Sequence, residues 1–99
     1  MGQQADTTRR GRAAATAAER RTYERFEDAV VRCLCEDGPL GHTELVRRVA
    51  SRVGRSYAAD VGNLVLVVTL DLETRGVVER STGRPGAVQL SALASGWAA

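Results

Sequence analysis

Apolar residues in the first third of the chain recur at helical spacing. Residues 13–37 contain neither Pro nor Gly, and Thr16 and Glu19 have the spacing of a capping box. A helix is therefore predicted over residues 13–37, ended by Gly38-Pro39, with Val31 and Cys35 on the side opposite its apolar face. That apolar face consists of Tyr23, Phe26, Ala29, Val30, Cys33 and Leu34.

Two more helices are predicted after Pro39. One spans residues 43–53, with an apolar stripe that begins at Leu45, and ends at Gly54 as a C-terminal cap. The next spans residues 56–75, with Ser56 as N-cap. Its β-branched run at residues 64–68 would also suit a strand. Its apolar positions are spaced as in a helix, and Gly76 follows at the expected end, so we favour the helix. Those positions are Tyr57, Val61, Leu64, Val65, Val68 and Leu72.

The last third predicts a β-hairpin, because short apolar segments in residues 77–90 flank the turn-rich residues 81–86. The predicted fold class is mainly α with a small β-hairpin, in a single domain over residues 13–99. Residues 1–12 are polar and carry three arginines, so we expect them to form a disordered basic arm.

Charge alternates along a chain whose composition is that of a globular protein. Of 99 residues, 43% are hydrophobic and 26% charged, and the net charge is +2. Residues 23–37 are mainly acidic, whereas residues 38–56 carry four arginines against one glutamate. Folding could gather the basic segments on one side, or a dimer could pair them with the acidic ones.

Several classes of function are not expected. The single histidine, His42, provides no catalytic triad, and two cysteines with one distant histidine do not make a zinc site. We therefore expect neither an enzyme nor a cofactor. The longest apolar run, residues 64–68, is too short to cross a bilayer, and the first residues lack an apolar leader. We expect a cytoplasmic protein without a membrane partner.

Three stretches resemble a known fold. The first is GPL at residues 38–40, leading into TELVRRV at residues 43–49. The second is LDLETRGVVER at residues 70–80, where a glycine ends a helix and a strand follows. The third is GRPG at residues 83–86, placed where a wing tip belongs. Together they resemble the winged helix-turn-helix domain of MarR-like and PadR-like bacterial transcription regulators, in which a short loop or strand precedes the second helix.

This resemblance implies a three-helix core, a two-stranded wing and an N-terminal helical extension. It also implies a transcriptional regulator that binds double-stranded DNA as a homodimer, through its third helix and its wing. A small-molecule effector is not identified by the sequence. By the same resemblance, the third helix would meet bases, the second helix would hold phosphates, and the wing would contact the backbone or minor groove. The residues implied in DNA binding are Arg47, Arg48, Arg52, Arg55, Ser56, Tyr57, Asn63, Arg80 and Arg84.

The predicted third helix departs from this pattern. Its side away from the core carries Leu66, Val67 and Leu70, and a helix that is apolar on two sides is usually packed on two sides. The element packed on this second apolar side would be the first helix, through Val31 and Cys35, or a second chain. The alternative function is therefore a winged-helix protein–protein interaction module, whose third helix is buried in an interface and does not bind DNA.

Overall fold

The computed structural model describes the backbone of residues 2–57 and 59–92, and the side chains of residues 17–55, 57 and 59–92. The described part is mainly helical with one small antiparallel sheet, as the sequence predicts. Its elements are α1 (Gly2–Asp37), β1 (Leu40–Gly41), α2 (His42–Val53), a 3₁₀ turn (Arg55–Tyr57), α3 (Val61–Thr74), β2 (Val78–Arg80) and β3 (Ala87–Leu90).

Helix α1 starts earlier than the sequence predicts. It begins at Gly2 rather than near residue 13, so residues 2–12 continue the helix where a disordered arm was expected. The physical reason is local: this segment contains Gln, Arg and Ala, which favour helix, and its one internal glycine, Gly11, does not end the helix. The side chains of the three arm arginines lie outside the described part, as does the tail that contains Trp97.

The core lies between α1, α2, α3 and the sheet. All six residues of the predicted apolar face of α1 are buried or half-buried, which confirms that face. Val31 is also buried, at 5% exposure. The buried arc of α1 is wider than one helical stripe because α1 contacts α2, α3 and β3 together. The remaining helices contribute Leu45, Val49, Val53, Val61, Val65, Val68 and Leu72 to the core.

The third predicted helix is a helix, but it starts later than expected. Residues 55–57 form a separate 3₁₀ turn, and α3 begins at Val61 after Asp60. The ring of Tyr57 packs edge-on against Phe26, with 5.3 Å between ring centroids. This contact holds the turn against the core, so Ser56 is not the N-cap of α3.

Helix α3 ends where the sequence predicts. Gly76 has a φ of +78°, a conformation that glycine adopts without strain. The amide of Val77 donates to the carbonyl of Leu72 at 2.9 Å, and that of Gly76 to Glu73 at 3.1 Å. These are the two bonds of a Schellman motif. The motif turns the chain directly into β2.

The sheet has three strands in the order β1-β3-β2, all antiparallel. β2 and β3 form the predicted hairpin, with Val78 opposite Leu90. β1 adds a third strand of two residues, with Leu40 opposite Val88. It fixes the connection between α1 and α2 to the hairpin.

Candidate interaction surface

The outer side of α3 exposes an apolar surface, which we call the α3 face. It consists of Leu66, Val67 and Leu70, which are 45%, 49% and 49% exposed and are the large exposed hydrophobic residues of the described part. They project away from the core because Val61, Val65, Val68 and Leu72 occupy the buried side of the same helix. No described element covers the α3 face.

A small groove borders the α3 face on the side of the sheet. Its volume is about 120 Å³, and its wall includes Leu66 and Leu70. Thr69 also lines it, is 8% exposed, and has a hydroxyl without a hydrogen-bond partner in the described part. The sequence does not single out Thr69, because a threonine between Val68 and Leu70 carries no distinctive signal. The remaining wall is formed by His42, Leu45, Glu73, Arg80, Gly86 and Val88.

Two residues predicted to cover the α3 face do not lie there. Val31 is part of the core, so it is not available to an interface. Cys35 is exposed but lines a shallow cleft with Gln89 and Leu90, at the end of β3. The prediction that these two residues cover Leu66, Val67 and Leu70 is therefore wrong. The prediction fails because the buried arc of α1 is wider than one helical stripe and includes Val31.

The basic face of α2 is partly neutralised within the chain. Arg48 forms an ion pair with Asp37 at 3.1 Å, and Arg52 pairs with Glu36, both at the end of α1. The hydrogen bond with Glu36 raises the pKa of the Arg52 guanidinium. Arg47 is exposed and has no ion pair with any described side chain. Of these three predicted phosphate anchors, Arg47 alone is unpaired in the described part.

The two arginines predicted for a wing, Arg80 and Arg84, are also paired. Arg84 donates to the carbonyl of Pro39 at 3.2 Å and forms an ion pair with Glu44 at the start of α2. Arg80 pairs with Glu73 on α3 at 3.3 Å. Both side chains remain more than half exposed. These contacts tie the hairpin to α2 and α3.

The predicted base-reading residues are separated by the late start of α3. Arg55 is exposed, and it precedes α3 together with Ser56, whose side chain lies outside the described part. Tyr57 packs on Phe26, and the guanidinium of Arg25 lies 5.9 Å from the centre of its ring. Asn63 is exposed on the first turn of α3. Asn63 is therefore the only predicted reading residue that α3 itself carries.

Other kinds of site find little support in the described part. It holds no group of three or more histidine, cysteine or acidic side chains arranged for a metal ion. None of its helices combines the length and the apolar character needed to cross a bilayer. Cys33 and Cys35 are both free thiols, the first buried and the second exposed, as the sequence predicts.

Residues 6–88 match the sequence pattern of a protein family of unknown function, DUF6958. The match covers most of the chain, so the chain belongs to this family. No curated protein and no solved structure matches it significantly.

Proposed function

We propose that this member of the DUF6958 family is a protein-interaction module that docks onto an apolar surface of a protein partner through the α3 face. One observation carries the proposal: Leu66, Val67 and Leu70 stand about half exposed in one contiguous patch. Full burial of an aliphatic side chain contributes about 1.5–3 kcal/mol, and much of this contribution is available to a partner. Exposed apolar patches of this kind mark interaction sites.

The chemistry of α3 argues for protein rather than nucleic acid. Residues 61–70 contain no charged side chain, so this stretch offers no cation to a phosphate. The nearest charged residue before the helix is Asp60, which repels phosphate. Asn63 alone could bond a base edge. An apolar surface of this kind suits a dehydrated protein interface.

The resemblance to winged-helix proteins supports the use of α3 as the contact element. The element order places α3 between α2 and the hairpin, and β1 precedes α2, as in the resembled families. In those proteins the third helix meets the ligand. Here we propose that the same helix meets a protein, because its outer side is apolar.

The first experiment replaces Leu66 and Leu70 with Glu in the full chain. Because both side chains are about half exposed, we expect the variant to keep its circular dichroism and to unfold within about 1 kcal/mol of the wild type. At protein concentrations low enough to keep the chain monomeric, we also expect the variant to lose most of the wild-type binding of an apolar fluorescent dye. Thr82→Glu, which places the same charge on the exposed hairpin loop, is the control and should keep the dye. Unfolding of the double variant would show that the α3 face is covered within the chain, and the proposal would fail.

A second candidate function is the binding of duplex DNA by a dimeric transcriptional regulator. It is supported by Arg47 and Arg55, which are exposed and make no ion pair with a described side chain. Titration of the protein into random duplex DNA at low and moderate salt separates the two functions. A DNA binder loses affinity steeply as salt rises, because counterions are released. The interaction module shows no such binding at about 50 mM salt.

If duplex binding is seen, a matched pair of variants locates it. Arg47→Ala with Arg55→Ala should abolish it under the DNA hypothesis. Arg32→Ala is the control, because Arg32 is already paired with Asp28 at 3.0 Å. Salt-dependent binding that needs Arg47 and Arg55 but not Leu66 would favour the second function over the first.

A further inference from the structure

We infer that the partner of the α3 face is a second copy of this chain, with the two α3 helices packed antiparallel. In this arrangement Val67 of each copy packs on Leu70 of the other, and Asn63 of each copy meets Thr74 of the other. The inference rests on the proposed function, because it names the partner of the same surface.

The spacing of the exposed residues on α3 points to a helix as occupant. Asn63, Val67, Leu70 and Thr74 are all exposed and follow one another at intervals of four, three and four residues. Alternating three- and four-residue intervals form the seam of two helices that cross at about 20°. Leu66 flanks this seam on the side of the groove. These four residues therefore form a stripe along α3 that suits one continuous contact with another helix.

The helix dipole and the exposed Asp60 favour an antiparallel copy. Asp60, just before the helix, is exposed, and its side chain makes no capping bond. The last turn of α3 holds no basic residue, and Arg75, just after the helix, is paired with Glu27 and Asp71. An antiparallel pair opposes the dipoles of the two helices and keeps the two Asp60 carboxylates apart. A parallel pair would place the two Asp60 carboxylates together.

The polar residues of the stripe fit the same register. The pairs Val67–Leu70 and Asn63–Thr74 both follow from one two-fold axis, which crosses the helices midway between Val67 and Leu70. The hydroxyl of Thr74 donates to the carbonyl of Leu70 at 2.9 Å, so its oxygen is left to accept. The amide of Asn63 supplies a donor. A surface that complements itself in this way forms a closed, isologous dimer.

Disulfide trapping tests this register in the full chain. Cys35→Ser removes the exposed thiol, and Cys33 stays because it is buried. Asn63→Cys and Thr74→Cys are then introduced singly and together. Residues 63 and 74 are about 16 Å apart along one helix, too far for a disulfide within one chain. We expect mild oxidation to give a covalent dimer from the double variant and little from either single variant.

The mass of the unmodified chain is the second measurement. Light scattering over a range of concentrations should show a dimer for the wild type and for Thr82→Glu. Leu70→Glu should weaken dimerisation by about 30-fold or more, as expected for a central interface residue. A covalent dimer from Asn63→Cys alone would overturn the antiparallel register. A wild-type chain that is monomeric at every concentration would overturn the second copy as partner.

One further readout separates failure of this inference from failure of the proposed function. If the chain is monomeric, the reactivity of Val67→Cys in the Cys35→Ser background reports whether the α3 face is open. Fast reaction with a thiol reagent would show that the α3 face is exposed in the monomer. A different protein could then still bind the face, and only the second copy would be excluded as its partner. Slow reaction would mean that the chain covers its own α3 face, and both proposals would be overturned.

Discussion

The hydroxyl of Tyr23 on α1 donates a hydrogen bond to the carboxylate of Asp71 on α3. This bond joins two helices across 48 positions of sequence, at the edge of the core. We expect Tyr23→Phe to lower the free energy of unfolding by about 1–2 kcal/mol, since the bond has a charged acceptor but is only partly buried. Urea denaturation measures the change. Asp71→Asn should cost a similar amount, and the double variant should cost less than the sum of the two.

The same bond predicts a loss of stability at high pH. Burial, together with the hydrogen bond to Asp71, raises the pKa of Tyr23 to about 12. An unfolded tyrosine ionises near pH 10. The stability that Tyr23 contributes is therefore fully present below pH 10 and is lost as the pH rises towards 12. Tyr23→Phe should lose less stability than the wild type over that interval. Parallel pH curves for the two proteins would contradict this.

Arg84 links the hairpin loop to the start of α2 through Glu44 and the carbonyl of Pro39. The pair is exposed, so we expect Arg84→Ala or Glu44→Ala to cost about 0.5–1 kcal/mol in urea denaturation. The double variant should cost little more than Arg84→Ala alone, because both substitutions remove the ion pair and only Arg84→Ala also removes the bond to Pro39. Arg47→Ala, at an arginine without an ion pair in the described part, should change stability by less than about 0.5 kcal/mol.

The hydroxyl of Thr69 is buried without a partner in the described part. Thr69→Val replaces it with a methyl group of similar size, so we expect an increase in the free energy of unfolding of about 1 kcal/mol. Thr69→Ser keeps the hydroxyl but removes the methyl group, and it should be destabilising. A loss of stability in Thr69→Val would show that the hydroxyl is bonded in solution.

The two cysteines should differ in reactivity. Cys33 is 1% exposed, and burial raises the pKa of its thiol, so it is both shielded and protonated at neutral pH. Cys35 is exposed on the next face of α1. A chromogenic thiol reagent should therefore label Cys35 alone in the folded chain and both thiols in denaturant. Cys35→Ser should abolish the labelling of the folded chain, and residual fast labelling would place Cys33 at the surface.

Periodicity was enough to predict the three helices and the hairpin, because each apolar stripe on α1, α2 and α3 packs on a neighbouring element. It could not place the start of α3, which depends on the contact of Tyr57 with Phe26, 31 positions away in sequence. The same limit applies to Val31, which is buried because three elements surround α1. Long-range contacts of this kind leave no local pattern.

The α3 face could be predicted from sequence because a second apolar side on one helix is a local property. The ion pairs of the arginines could not be predicted from sequence. Arg48, Arg52, Arg80 and Arg84 looked like a basic surface, but each finds an acidic side chain on another element, at Asp37, Glu36, Glu73 and Glu44. Alternating charge along the chain permits this internal pairing, but only the packing of the helices decides it.

The pairing of β1 with β3 makes the hairpin indispensable to the domain. Leu40 and Gly41 bond to Val88 and Ala87, so the linker between α1 and α2 is completed by residues near the other end of the described chain. A fragment that stops after Gly76 would leave this linker with unsatisfied backbone groups and would uncover Leu40, which is 3% exposed. A fragment that keeps this pairing must therefore reach from α1 to Leu90, and the hairpin cannot be trimmed away as an accessory.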